Sequence, residues 1–216
     1  MAKAMVLTKE NVLATMAGRK RMTRRIINPQ PKTDKSILCT MIDTTSREDG
    51  KYRGWNYWAE YEDICEVKGT RTKYFKPRYQ VGDEVYVAEG YQIQKANYKT
   101  HRKSGIYLAD KKPFDVTLTD REFDLWMARK QPFSPTSGRF FYKSLARTFM
   151  KIVEVRVERL WDISESDCIA EGVIPKDLLP CSPYEIFATL WKTIHGPGAW
   201  KLNPWVWVYS WKLGDK

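Results

Sequence analysis

The segment Pro204–Trp211 reads Pro-Trp-Val-Trp-Val-Tyr-Ser-Trp. In a strand, Trp205, Trp207, Tyr209 and Trp211 fall on one face and Val206 and Val208 on the other. A strand that is apolar on both faces belongs inside a sheet, with packing on each side. The chain must therefore build a sheet with covered faces. Other strands are predicted around it. From Phe149, Val153, Val155 and Val157 alternate with Glu154, Arg156 and Glu158, the pattern of a long strand. Val85 and Val87 alternate within Glu84–Glu89 after a turn at Gly82-Asp83. Weaker strands are predicted at Ile37–Ile42, Tyr57–Tyr61 and Ile106–Ala109, and another begins at Ile26 and Ile27. The rest of 91–113 reads as a basic loop.

Short helices interleave with these strands. Thr8 caps Lys9–Ala17, and Gly18 closes it. Thr119-Asp120-Arg121-Glu122 is a capping box before a helix through Trp126 to about Arg129. Ser164 with Asp167 opens a short helix that ends at Gly172. Ser182-Pro183-Tyr184-Glu185 joins a cap, an N1 proline and an N3 glutamate, and Ile186, Phe187, Leu190, Trp191 and Ile194 form the apolar stripe that follows. Strands mixed with short helices predict an α+β chain, a small mixed barrel with helices at its openings. At 216 residues, one domain over 1–216 is expected.

The charge narrows the function. There are 37 Lys and Arg against 26 Asp and Glu, a net charge of +11. Residues 1–36 hold 9 basic and 2 acidic side chains. A concentrated basic segment attracts polyanions, of which nucleic acid is the usual one; the alternative is solubility alone. No apolar run reaches the ~18–20 residues of a membrane helix, so no membrane partner is expected. The start lacks an apolar signal core, so a cytoplasmic location is expected. Cys39, Cys65, Cys168 and Cys181 form no C-x-x-C pair, and with only His101 and His195 beside them there is no zinc spacing. Reduced thiols and no metal are expected. With no P-loop, G-x-G-x-x-G, H-E-x-x-H or G-x-S-x-G, no cofactor is expected either.

Three blocks carry a resemblance. The first is Ala17-Gly18-Arg19-Lys20 through Thr23-Arg24-Arg25-Ile26, then Pro29-Gln30-Pro31. The second is Val155–Leu160 through Asp162–Glu165, then Ala170-Glu171-Gly172. The third is Phe187–Trp191, then Gly198, Trp200 and Asn203–Val208. Gly18, Lys20, Thr23 and Arg25 resemble the G-x-K-x-x-[TE]-x-R signature of the ASCH superfamily, and the whole is similar to its phage- and prophage-encoded branch. The resemblance implies a PUA-like β-barrel in the cytoplasm of a bacterial host cell. It implies two insertions, at about 32–75 and 91–140, where the match is poor. It also implies nucleic-acid binding, to RNA or to modified or single-stranded DNA, in a basic cleft with a pocket for one modified base.

The superfamily includes amidohydrolases that remove the acyl group from N(4)-acetylcytidine. Their working lysine, threonine and glutamate match Lys20, Thr23 and Glu171. In that chemistry a threonine hydroxyl needs a base, and lysine serves if its amine is neutral. The adjacent Arg19, Arg21, Arg24 and Arg25 would lower its pKa, Glu171 would shuttle a proton or orient Lys20, and Arg25 would hold a phosphate or a base carbonyl. Positions three apart on a strand face opposite sides, so Lys20 and Thr23 converge only if Lys20 lies in the turn after the helix. Tyr142, Lys143, Ser144 and Arg147 form a further polar block, read as pocket or phosphate contacts. Trp55, Tyr57, Trp58, Tyr61, Tyr74 and Tyr79 are candidates for stacking on bases.

Four functions follow as expectations. The first is binding of nucleic acid or a modified nucleoside through Arg19, Arg21, Arg24, Arg25, Tyr142, Lys143, Ser144 and Arg147. The second is an amidohydrolase on N(4)-acylated cytidine, although the known hydrolases are about half this long. The third is a ribonuclease using Lys20 with Tyr142 or Ser144. The fourth is inhibition of a host protein through the insertions.

Overall fold

The computed structural model of the chain describes residues 2–30, 37–42, 54–60, 73–173 and 181–214. In order these give β1 (Lys3–Val6), α1 (Lys9–Met16), β2 (Met22–Ile26), β3 (Ile37–Ile42), β4 (Gly54–Glu60), β5 (Lys73–Phe75), β6 (Glu84–Ala88), β7 (Tyr91–Ala96), β8 (Arg102–Tyr107), β9 (Pro113–Thr117), α2 (Asp120–Met127), β10 (Phe149–Arg159), α3 (Glu165–Ala170), α4 (Pro183–His195) and β11 (Trp205–Leu213). The chain is α+β, and among the described residues no sheet closes into a barrel. It divides into two units. The first holds Met1–Arg21, Asp83–Lys151 and Lys212–Lys216; the second holds Met22–Gly82 and Ile152–Trp211.

In the first unit β1 runs parallel to β6, from Lys3 beside Val85 to Val6 beside Ala88. β6 pairs antiparallel with the first residues of β10. β7, β8 and β9 form an antiparallel meander where the sequence predicts a loop around one short strand. The reason for that difference is on β8. Its buried positions are Lys103, Gly105 and Tyr107, so the alternation that reveals a strand is hidden behind a cation and a glycine. Gly105 is required by crowding, since a Cβ there would stand 2.0 Å from the Gln92 carbonyl oxygen and 2.8 Å from the Phe114 ring. Tyr91, Ile93, Tyr107, Phe114, Trp126 and Leu145 centre the core of this unit.

Helix α2 starts on the expected capping box, with Thr119 and Glu122 bonding each other's backbone. It buries one side chain, Trp126, whose indole N–H donates to the Pro132 carbonyl at 2.9 Å. Burial of an aromatic side chain removes roughly 150–250 Å² from water, worth several kcal/mol at ~25 cal/mol per Å². One ring is therefore enough to dock so short a helix.

In the second unit β10, β11 and β2 are hydrogen-bonded in that order. β11 pairs antiparallel with β2 from Val206 beside Ile26 to Ser210 beside Met22. Both edges of β11 are occupied, as its two apolar faces require. Val206 and Val208 pack with Leu160, Phe187 and Trp191. On the other face Trp207, Tyr209 and Trp211 are buried, and Tyr79 meets Tyr209 edge-on with centroids 5.1 Å apart. The aromatic stripe is core, and Tyr79 with it. β3, β4 and β5 form a separate antiparallel sheet. The side chains of Trp55, Tyr57, Trp58, Tyr61 and Tyr74 lie outside the described residues.

Candidate functional site

The basic run after α1 is sorted by burial. Gly18 closes α1 with φ 71°, and the amides of Arg19 and Lys20 both donate to the Ala14 carbonyl, at 2.9 and 3.0 Å. Lys20 thus lies in the turn behind the helix, and its side chain turns inward to 2% exposure. It belongs to the first unit. Thr23 and Glu171, 6% and 4% exposed, belong to the second. Arg19, Arg21 and Arg25 are exposed. The His195 pKa is pushed down by burial and then by the nearby Arg25 charge.

Arg24 does something else. Its side chain is 0% exposed. Nε donates to Glu158 Oε1 at 2.8 Å, Nη2 to Asp167 Oδ2 at 2.6 Å, and Nη1 to Glu171 Oε1 at 3.3 Å. Arg156 lies in the same cluster, with Nε 3.0 Å from Glu158 and Nη1 2.9 Å from Glu154, and a further bond to Asp167. Two guanidinium groups share four carboxylates. Glu171 caps the C-terminal end of α3, where the helix dipole disfavours an acid; the Arg24 guanidinium offsets this. Burial pushes the neighbouring Cys168 thiol up to about 11, against the pull of Arg24. It is therefore an inert thiol. Cys168 and Cys181 are free, and the side chains of Cys39 and Cys65 lie outside the described residues.

The second polar block is also tied down. Arg147 holds Glu89 through two bonds of 2.8 Å and Asp110 through bonds of 2.9 and 3.1 Å, with its Cζ 3.8 Å from the centre of the Tyr107 ring. Burial opposes the Asp110 charge, but the hydrogen bonds from Arg147 outweigh it and hold that carboxyl below the usual range. Ser144 donates to Glu122 from its backbone amide at 3.1 Å and from its hydroxyl. Tyr142 is buried, and burial raises its pKa. Lys143 is exposed.

Of the eight expected nucleic-acid contacts, Arg19, Arg21, Arg25 and Lys143 thus reach solvent. The reading of Arg24 and Arg147 as phosphate contacts meets guanidinium groups already engaged by carboxylates. Tyr142 is part of a core, and Ser144 ties its turn to α2. Two features escape the sequence reading altogether. Lys103 is a buried cation inside an aromatic cluster, and Phe140 is a large ring held outward. Neither carries a motif; a lysine in place of an apolar residue at an inward strand position is the only trace of the first.

Among the described residues no group of three or more His, Cys, Asp or Glu is placed to hold a metal ion, and no helix is long and apolar enough to cross a membrane. In comparisons with known proteins, no family model, no curated protein and no solved structure matches the chain.

Proposed function

We propose that this chain is a PUA-like protein of the ASCH kind that binds RNA or single-stranded or modified DNA through its first unit. One observation carries the reading. The first unit has 20 basic and 10 acidic side chains, and the second has 17 and 16. Nearly the whole positive excess thus falls in one unit, while the other is close to neutral. Charge spread for solubility has no reason to separate this way; a polyanion-binding surface does. The exposed cations Arg19, Arg21 and Lys143 belong to that unit.

The test is the salt dependence of oligonucleotide binding. The affinity of the wild type falls steeply with salt, and Arg19→Ala, Arg21→Ala and Lys143→Ala each flatten the log–log slope by about 0.7–0.9. An affinity indifferent to salt sinks the reading and leaves a protein partner in its place.

A further inference from the structure

The loop behind α2 ends in a single 3₁₀ turn, Gly138–Phe140. Three contacts fix its backbone. The Ser137 hydroxyl accepts from the Arg139 amide at 3.3 Å, the Phe140 amide donates to the Ser137 carbonyl at 3.0 Å, and the Tyr91 hydroxyl donates to the Phe140 carbonyl at 3.1 Å. Gly138 is pressed against β6, where a Cβ would stand 2.6 Å from the Ala88 carbonyl oxygen. The next two side chains, Phe141 and Tyr142, are buried. On this pinned backbone the Phe140 ring stands 63% exposed. An aromatic ring on a fixed turn loses little further freedom when something covers it.

What surrounds the ring says what would cover it. The Arg129 guanidinium carbon lies 5.3 Å from the ring centroid, and Arg129 also hydrogen-bonds the Tyr142 side chain. Lys130, Arg139 and Lys143, next in sequence to these groups, are exposed. Arg24, Arg102, Arg147 and Arg156, by contrast, are each matched by acids. Among the described residues Arg129, Lys130, Arg139 and Lys143 have no carboxylate at ion-pair distance. An exposed ring among cations that have no carboxylate partner complements a flat aromatic group flanked by negative charge. An apolar protein face or a lipid chain would leave those cations desolvated.

Resting on the nucleic-acid reading, we propose that Phe140 is a stacking platform for one unpaired nucleobase, with Arg129, Lys130, Arg139 and Lys143 facing the adjoining phosphates. The sequence-tolerant part of the affinity then comes from the ring, and the salt-dependent part from the cations.

Fluorescence anisotropy tests this with labelled oligouridylate and oligothymidylate of about twelve nucleotides, and with the same backbones carrying abasic residues. Phe140→Ala weakens binding of the base-bearing strands by about tenfold or more and leaves the salt slope unchanged. Phe140→Trp restores the affinity. On the abasic strands, wild type and Phe140→Ala bind alike. If Phe140→Ala binds the base-bearing strands as tightly as the wild type, the platform is wrong and the nucleic-acid reading stands. If the wild type binds none of the strands, the reading itself falls and the platform with it. The ring is mostly exposed, so the alanine variant retains its fold, which circular dichroism verifies.

Discussion

Arg24→Ala destabilises the second unit by ~3–5 kcal/mol, the cost of leaving buried charges without their partner. For a chain of this size that lowers the melting temperature by about 6–20 °C. The argument rests on the side chain's complete burial and on its three carboxylate partners, Glu158, Asp167 and Glu171. With Arg24 gone, Arg156 alone faces Glu154, Glu158 and Asp167, and Glu171 loses its bond to Arg24 while remaining at the unfavourable end of α3. Lysine does not rescue the site, because one ammonium cannot span the separate oxygens that a guanidinium reaches. Arg24→Met combined with Glu171→Gln recovers part of the loss, since it removes a charge with its partner rather than stranding it. Urea unfolding measures all of this. A loss under about 1 kcal/mol, the scale of a surface pair, would mean that the cluster is solvated.

The same cluster shows why the linear charge reading goes only part of the way. In sequence, Arg19 to Arg25 is one basic run. In the fold it divides: Arg19, Arg21 and Arg25 face outward, while Arg24 turns into a core whose acids come from positions 134, 143 and 147 residues away. No local pattern encodes that pairing. It is a tertiary contact, and it removes the residue from the surface the run was expected to form. The basic excess is distributed differently in the fold from its linear clustering. The excess gathers in a unit that joins the first 21 residues to 83–151, a union no segment count could reveal.

Elements with local causes were legible. The caps Thr8, Thr119, Ser164 and Ser182 start α1, α2, α3 and α4 as expected, because a cap is a contact over three residues. β10 and β11 were legible because Val, Trp and Tyr mark them as strands, although the face expected for β10 fails at Val153, which is 41% exposed while Ile152 is buried. β1, β7 and β9 were not. β1 is a short strand paired in parallel with residues 82 positions later. β7 and β9 flank a strand whose inward positions include Lys103 and Gly105, and β7 carries a bulge between Ile93 and Lys95 that breaks its period. Those departures exist for packing reasons that only the assembled meander supplies.

Lys103→Met stabilises the first unit by ~1–3 kcal/mol at neutral pH, the reverse of what removing a cation from a basic surface would do. Lys103 is 0% exposed, and its ammonium has no hydrogen-bond acceptor among the described residues. It rests instead on rings, with centroids 4.1 Å away for Trp126, 4.3 Å for Phe123 and 5.2 Å for Tyr98. Such contacts return ~2 kcal/mol when desolvated, less than the several kcal/mol that desolvating an ammonium costs. Burial accordingly pushes the lysine pKa down. Methionine keeps the length of the stem and adds sulfur–ring contacts without the charge. The pH dependence identifies the cause. Below the lowered native pKa both states are protonated and the burial penalty is complete. Between that value and the ordinary lysine value the native state sheds its proton first, so wild-type stability gains on the variant as the pH rises. Above the ordinary value the penalty is gone. Burial also raises the Tyr107 pKa to about 12, which destabilises the fold in alkali; that effect is common to both proteins and cancels in their difference. Denaturant unfolding of the pair from neutral to alkaline pH therefore shows an advantage for methionine that shrinks upward. If methionine is instead the less stable at neutral pH, the rings hold the ammonium better than water does, and the cluster is a cation site that the fold is built around.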